Sequence, residues 1–280
     1  MRFFIAFIFT CIVAIGAAFG QTGSSELQSA ADLAFNETAY IKAINLYNDA
    51  RIAYYDEQKV TEAIDCTIGI GKCQIALGRF NEATKDLEAT IARTTKEAGT
   101  SKAQQAMLYK LLGEAYLNNG LNQQALDVFS KSEQLITNKN DLFYADLMEE
   151  IGVAYWNSGN NQLAIEHHQL ALQKRTELLE DGHELIADSY INLGLVAMGE
   201  DYVSTFTYLN KALNIYEKQF GENHQKVANA YFNLGMADLE NQTYSQATRY
   251  FEKVAGIYEV IYQQNHPNKA IIQSTLGRVD

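Results

Sequence analysis

Cysteine is scarce in this sequence. Of the three copies, Cys11 lies in an apolar N-terminal run, and Cys66 and Cys73 are two helical turns apart on one predicted helix. Two turns separate such positions by about 10.5 Å, beyond the roughly 7 Å between Cα atoms that a disulfide can bridge. We therefore expect two small buried thiols, rather than a redox or metal-binding pair, and a fold held by packing alone.

Basic side chains are also under-represented. The chain has 22 Lys and Arg against 34 Asp and Glu, a formal net charge of −12. Such a surface repels nucleic acid and anionic lipid head groups, so the sequence predicts basic or neutral protein partners and no nucleic acid. An acidic surface that serves only solubility explains the charge equally well.

Long apolar runs are absent after residue 20. Before it, Arg2 precedes an apolar or small stretch from Phe3 to Gly20, which ends in Ala18-Phe19-Gly20. This pattern is typical of a secretory signal peptide over residues 1–20, with the mature chain beginning at Gln21. We expect an extracytoplasmic protein, periplasmic or secreted, that does not insert into the membrane after cleavage. Cys11 lies inside the apolar run, which disfavours a lipoprotein.

Recognisable arrangements of catalytic or cofactor-binding residues are missing as well. The segment 69–72 has two glycines and a lysine, but a phosphate-binding loop needs a preceding strand and Ser or Thr where Cys73 stands. His183, His224 and His266 fall about one repeat apart, too far to share one metal ion, so we expect them to have structural roles at helix starts. The sequence predicts no catalytic residue, metal or cofactor, and no enzyme.

What the chain does contain is a glycine that recurs at intervals of about 40 residues. The six positions are Gly71, Gly113, Gly152, Gly194, Gly235 and Gly277. A helical glycine costs about 1 kcal/mol relative to alanine, so its recurrence predicts a close approach of two helices. An alanine stands twelve residues after most of these glycines. A larger side chain, such as Leu87, His168 or Phe251, stands four residues beyond that alanine. Each unit is therefore predicted to be a helical hairpin.

Polar turns rich in glycine and asparagine divide the chain into six such hairpins and a last helix that begins at Pro267. The predicted repeats are 25–58, 62–97, 103–138, 142–180, 184–220 and 225–264, with the final helix at 267–280, all within one array over 21–280. The first repeat has Ala31 in the glycine position. The fifth loses one residue in its turn, which places Leu209 opposite Gly194.

The pattern of leucine-glycine, tyrosine, alanine and aromatic, as in Leu234-Gly235-Ala247-Phe251, resembles the tetratricopeptide repeat. The period exceeds the usual 34 or so residues, which implies longer second helices. The histidines at 183, 224 and 266 make the last three units similar to the kinesin-light-chain type. The resemblance implies an all-α, right-handed solenoid whose first helices line a concave groove.

Carried over position by position, the resemblance implies a peptide-binding groove. Its candidate residues are Lys110, Glu114, Leu117, Glu149, Val153, Trp156, Ile191, Asn192, Leu195, Met198, Phe232, Asn233, Met236 and Leu239. The same comparison with the family also places Asp188 and Asn229 on the face that lines the groove. We expect an apolar strip edged by the carboxylates of Glu114, Asp146, Glu149, Asp188 and Glu240. Packing between successive helices explains part of the strip as well as binding does.

Asn192 and Asn233 each stand two residues before their glycine, where kinesin-light-chain-like repeats use asparagine to hold a peptide backbone. A structural role is the alternative for both. From these observations we expect an exported scaffold that binds a peptide segment of another protein in its groove. The alternatives are a regulatory or sensory N-terminal part of a larger signalling or effector protein, and a structural spacer in an envelope complex.

Overall fold

The chain is built from α-helices, as the glycine repeat predicts. The computed structural model describes residues 23–94, 99–262 and 266–279, and in these ranges it contains thirteen helices and no strand. The helices are α1 (Ser24–Asn36), α2 (Tyr40–Asp56), α3 (Val60–Ala76), α4 (Phe80–Thr94), α5 (Lys102–Asn118), α6 (Asn122–Leu135), α7 (Leu142–Asn157), α8 (Asn161–Leu178), α9 (Glu184–Ala197), α10 (Tyr202–Phe220), α11 (Gln225–Glu240), α12 (Tyr244–Ile261) and α13 (Pro267–Val279). The predicted signal peptide lies outside the described residues.

The helices form two compact units, α1–α5 and α6–α13, with the division between Leu121 and Asn122. In each unit every helix packs against the next one along the chain, as expected of stacked hairpins. First helices also contact the first helix of the neighbouring hairpin, α3 with α5 in the first unit and α7 with α9 in the second. The all-α solenoid fold is thus confirmed. The long second helices of the last three hairpins have 18, 19 and 18 residues.

At four of the recurring glycines, a side chain of the second helix of the hairpin lies where a Cβ atom would be. A Cβ atom on Gly152 or Gly235 would lie 2.6 Å from the ring of His168 or Phe251, and one on Gly71 would lie 3.2 Å from Leu87. A Cβ on Gly194 would lie 2.8 Å from Leu209, so the one-residue shift predicted for this hairpin is confirmed. The side chains opposite these glycines are almost completely buried: Leu87, His168, Leu209 and Phe251.

Three histidines cap the starts of helices, which confirms their predicted structural role. The Nδ1 atoms of His183, His224 and His266 each accept a hydrogen bond of 3.2 Å from the backbone N–H two residues later. The rings of His224 and His266 also stack on Phe220 and Tyr262, with centroids 4.3 and 3.6 Å apart. Each histidine thus satisfies an N–H group that the helix itself leaves unpaired.

Cys66 and Cys73 are buried free thiols in α3, as expected. Burial raises the pKa of Cys66 to about 12 and that of Cys73 to about 11, so both thiols are protonated at neutral pH. Segment 69–72 lies inside the same helix, where Gly69 admits the ring of Tyr47 from the preceding hairpin. Among the described helices, none has the length and apolar character needed to cross a membrane.

The glycine contacts can be tested with a matched pair of substitutions. Gly235→Ala places a methyl group against the buried Phe251 ring, and we expect it to lower the free energy of unfolding by about 1–3 kcal/mol. Gly277→Ala occupies the same repeat position on α13, but no heavy atom lies within 4 Å of its Cβ. Urea unfolding should show no loss for Gly277→Ala, and a gain of up to about 1 kcal/mol. Equal losses in both variants would contradict close helix approach at Gly235.

Candidate functional site

A pocket of about 430 Å³ opens between α9, α10 and α11 of the second unit. It is lined by Asp188, Ile191, Asn192, Tyr216, Lys226, Asn229, Phe232 and Asn233. Four of the predicted groove residues, Ile191, Asn192, Phe232 and Asn233, therefore come together here, beside Asp188 and Asn229 from the same predicted face. The pocket combines two apolar side chains with three amides.

The spacing of residues on α11 explains this wall of the pocket. Asn229, Phe232 and Asn233 are three and four residues apart, so they share one face of the helix. The Phe232 ring packs against Phe251, with centroids 5.5 Å apart, which fixes its position. Ile191 and Asn192 occupy the corresponding turn of α9 on the opposite wall.

A second pocket, of about 240 Å³, lies on the other side of Asn229 and Phe232. Its remaining lining residues are Tyr258 from α12 and Asn268, Ile271 and Ile272 from α13. Ile271 is 57% exposed. The two pockets therefore share one wall, and the second is the more apolar.

Lys226 ties α11 to α9 at the edge of the first pocket. Its Nζ lies 2.8 Å from Oε2 of Glu184 and 3.1 Å from Oδ1 of Asp188. Burial alone would lower the pKa of Lys226, but these two carboxylates raise it, so the lysine stays charged. Tyr216 donates a hydrogen bond to Asp188, and its own pKa is raised by burial and by that carboxylate.

Glu149 is the centre of a buried polar cluster between α7, α8 and α9. Its Oε2 lies 3.4 Å from Nη1 of Arg175 and 3.6 Å from Nδ1 of His168. Asn192 donates a hydrogen bond to its other oxygen. Burial alone would raise the pKa of Glu149, but His168, Arg175 and Asn192 outweigh it and hold the pKa below its ordinary value. Glu149 is therefore a buried anion, only 7% exposed.

Arg175 supplies the opposite charge and extends this cluster. Its Nη2 donates to Asp146 over 2.9 Å, and its Nη1 donates to Ser189 over 2.7 Å and to the backbone oxygen of Leu185. These bonds connect α8 to α7 and to α9. The cluster holds neighbouring hairpins together directly behind the first pocket.

Four of the five predicted edge carboxylates form ion pairs, although Arg175 and Lys226 are each shared between two carboxylates. The pairs are Glu114 with Lys110, Asp146 and Glu149 with Arg175, and Asp188 with Lys226. Glu240 is exposed. A carboxylate that already pairs with a cationic side chain attracts a basic partner less than a free carboxylate does.

The two candidate asparagines, Asn192 and Asn233, differ in their hydrogen bonds. Asn192 bonds to Glu149, which favours its structural role. Asn233 lines the pocket opposite it, and its side chain makes no hydrogen bond within the part of the chain that the structure describes.

The remaining predicted groove residues lie outside this pocket. Lys110, Glu114 and Leu117 belong to α5 in the first unit, where Leu117 is buried. In the second unit, Trp156 is 38% exposed on α7, and Met198 lines a smaller pocket of about 160 Å³ with Glu240. The half-buried residues are Val153, Leu195, Met236 and Leu239. Met198, Met236 and Leu239 pack against the core of this unit, as do the pocket residues Ile191 and Phe232, so the packing alternative explains part of the strip.

Tyr216 and Lys226 were missed by sequence reasoning. Tyr216 comes from a second helix, whereas the resemblance to the family assigns groove positions to first helices only. Lys226 does have a signal, since it follows the capping His224 by two residues and lies one repeat after Glu184 and Asp188. Residues of α13 were missed because its face carries Ile271 where the other first helices have Asp188 and Asn229.

The buried anion predicts a stability effect that depends on pH. Because the folded-state pKa of Glu149 is lowered, its contribution is complete above the unfolded pKa and is lost as the pH falls through the folded value. Glu149→Gln should lower the free energy of unfolding by about 3 kcal/mol at pH 7, because Arg175 loses its buried partner. Urea unfolding from pH 7 to pH 3 should show this difference shrinking.

Glu177→Gln is the control, since Glu177 pairs with Lys174 on the surface of α8. We expect no measurable loss in this variant. A difference between wild type and Glu149→Gln that stays constant down to pH 3 would contradict a charged Glu149.

Comparisons with known proteins agree with this architecture. Tetratricopeptide repeat family models match residues 145–184 and 197–259. The structure is similar to that of BtubC (BKLC) from P. vanneervenii, with a TM-score of 0.64 and 16% identity over 88% of this chain and 96% of that one. The TPR-like repeats of a kinesin light chain from Podospora anserina match with a TM-score of 0.60 and 18% identity over 71% and 97%.

A Rap protein complexed with Competence and Sporulation Factor is similar as well, with a TM-score of 0.65 and 14% identity over 91% of this chain and 70% of that one. At these identities the similarity concerns the fold. The chain therefore contains tetratricopeptide repeats over residues 145–184 and 197–259, in a fold similar to that of kinesin-light-chain repeats.

Proposed function

We propose that this protein is a non-enzymatic scaffold that binds a peptide segment of a partner protein on the concave face of its second unit. The observation that carries the proposal is the pocket between α9 and α11, where Ile191 and Phe232 lie among the amides of Asn192, Asn229 and Asn233. Apolar side chains supply binding energy on removal from water, and amides can both donate to and accept from a peptide backbone.

The state of the charges supports recognition by shape and hydrogen bonds. The carboxylates around the pocket are paired, with Asp188 bound by Lys226 and Tyr216. Steering by exposed charge depends strongly on salt, whereas apolar contacts and short hydrogen bonds depend on it little. The Rap protein of similar fold, which is complexed with a factor, supports the use of such a solenoid for ligand binding.

We also propose that the protein is exported. The support is the sequence of residues 1–20, with Arg2, the apolar stretch from Phe3 and the small residues before Gln21. An extracytoplasmic location restricts the partners to proteins or protein segments exposed in that compartment.

The pocket can be tested by affinity purification from the extracytoplasmic fraction with the wild-type protein and the double variant Ile191→Ala/Asn229→Ala. We expect at least tenfold less of the specific partner with the variant, because one apolar contact and one amide are lost from the pocket. Recovery by wild type should change less than twofold between 0.1 and 0.5 M NaCl.

Val203→Ala/Val260→Ala is the matched control, since both valines are exposed on second helices, at 74% and 66%. The control should retain the partner. Retention by both variants would place binding elsewhere, and loss from both would reflect a general effect on the protein.

Export makes a separate prediction about the N-terminus. When the full coding sequence is expressed in its own host, the protein recovered outside the cytoplasm should begin at Gln21. Mass spectrometry of the N-terminal peptide measures this. Recovery of the intact chain from Met1 in the cytoplasm alone would overturn the export proposal while leaving the pocket unaffected.

A further inference from the structure

We propose that Asn192 presents its side-chain oxygen to the ligand in the first pocket, so that the bound group must donate a hydrogen bond to the wall formed by α9. This inference rests on the proposed function, because it specifies the chemistry of the group that enters the same pocket. The pocket is lined by three amides, those of Asn192, Asn229 and Asn233. Their different surroundings give them different hydrogen-bonding roles.

The buried carboxylate of Glu149 fixes the orientation of the Asn192 amide. An ionised carboxylate has no proton to donate, so only the NH2 group of Asn192 can bond to it. Nδ2 of Asn192 is indeed the donor to Oε1 of Glu149. Turning the amide by half a rotation would bring its oxygen against the carboxylate oxygen and replace an attraction with a repulsion. The nitrogen of Asn192 therefore points to the buried cluster behind the pocket.

The hydrogen bond between Asn192 and Glu149 has no ready substitute. Glu149 is only 7% exposed, and its other oxygen, Oε2, lies 3.4 Å from Nη1 of Arg175 and accepts from Oγ of Ser189 over 3.5 Å. A buried charge that loses a donor is more costly than a neutral group that does so. Asn192 itself is half-buried, and its Oδ1 makes no hydrogen bond to any residue that the structure describes. That oxygen is the end of the amide left for a ligand.

The other polar side chains of this wall can also accept. Tyr216 has a single hydroxyl proton and donates it to Asp188, which leaves the tyrosine oxygen with acceptor capacity only. The Asp188 carboxylate likewise accepts, from Tyr216 and from Lys226. A ligand that carries a donor therefore meets acceptors on the side of α9 and α10. A ligand that carries only acceptors gains no hydrogen bond from these oxygens.

The amides on the opposite wall lack such a fixed direction. Asn233 occupies the same repeat position as Asn192 and lines the same pocket. In the described part of the chain, the side chains of Asn229 and Asn233 make no hydrogen bond. Each can turn to donate or to accept, but it must be ordered when a ligand binds, whereas the oxygen of Asn192 is already in place. The preference for a donor therefore comes from Asn192.

Two small aromatic probes isolate this preference. Ile191 and Phe232 give the pocket its apolar surface, and its two charged lining residues, Asp188 and Lys226, have opposite signs and lie 3.1 Å apart. A neutral aromatic molecule therefore suits the pocket. Indole and benzofuran have nearly the same shape, but benzofuran has an oxygen that cannot donate in place of the N–H group of indole. The ratio of their affinities measures what a donor gains.

The experiment titrates each probe into isotope-labelled protein and follows the signals of the pocket amides by NMR. We expect indole to bind wild type at least fivefold tighter than benzofuran, a ratio typical of one neutral hydrogen bond. In Asn192→Leu this ratio should fall below twofold, since the acceptor is removed. Asn233→Leu is the matched control, because it removes an amide from the same pocket and the same repeat position. The control should keep a ratio of at least fivefold.

Glu149→Gln tests whether Glu149 is a positioning residue for Asn192. The new amide can donate as well as accept, so Asn192 can turn and loses its fixed direction. We expect the indole-to-benzofuran ratio to fall below twofold while the affinity for benzofuran changes less than twofold. An equal loss of affinity for both probes would indicate a merely structural role and overturn the positioning role of Glu149.

A measurement without ligand tests the same orientation in wild type, and it does not depend on the folding of Glu149→Gln. The side-chain NH2 protons of Asn192 should exchange with water at least tenfold more slowly than those of Asn233, because Asn192 donates to a buried carboxylate. Exchange at equal rates would overturn the orientation of Asn192.

The outcomes distinguish this inference from the proposed function. Equal binding of indole and benzofuran in the pocket, or a fivefold ratio that persists in Asn192→Leu, would overturn the donor preference and leave peptide binding there intact. If neither probe shifts the signals of the pocket amides, the donor preference is overturned as well. The proposed function is tested separately, by whether Ile191→Ala/Asn229→Ala loses the partner in affinity purification.

Discussion

The close approach of two helices at a glycine is the constraint on which the rest of this structure depends. At Gly152, Gly194 and Gly235 a buried side chain of the following helix occupies the space that a Cβ would fill. This contact fixes the rotation of each first helix about its own axis. One side of α9 and of α11 therefore packs against the second helix of its own hairpin, and another side of each lines the pocket between them. The pockets are a consequence of that rotation.

The charged side chains of the second unit stabilise contacts between hairpins more than they attract a partner. A chain with net charge −12 would be expected to attract a basic partner, yet the cationic side chains Arg175 and Lys226 form internal pairs with the carboxylates nearest the pocket. Arg175 sits among Asp146 and Glu149, and Lys226 among Glu184 and Asp188. Both link neighbouring hairpins. The pocket between α9 and α11 is lined by two apolar side chains and three amides beside these pairs.

Much of the fold could be predicted from sequence because its signals are local. The Gly–Ala–aromatic pattern, the capping histidines and the shorter fifth turn each depend on residues within one hairpin. The site could be predicted less completely, because its contacts are made between residues of different repeats. Asn192 and Glu149 belong to different hairpins and are joined by a hydrogen bond. The resemblance to the family could therefore name both residues without revealing that they pair. Lys226 and Tyr216 enter the pocket from positions that the resemblance does not include, and their partners lie on another helix.

The shortened turn of the fifth hairpin has a wider consequence. Leu209 reaches Gly194 although it comes one residue earlier than the equivalent side chains in the other hairpins. Register is thus set by the fit of side chain to glycine, and the connecting segment only has to span the gap. The length of such a connection can therefore change by a residue during evolution while the two helices of the hairpin keep the same contact at the glycine.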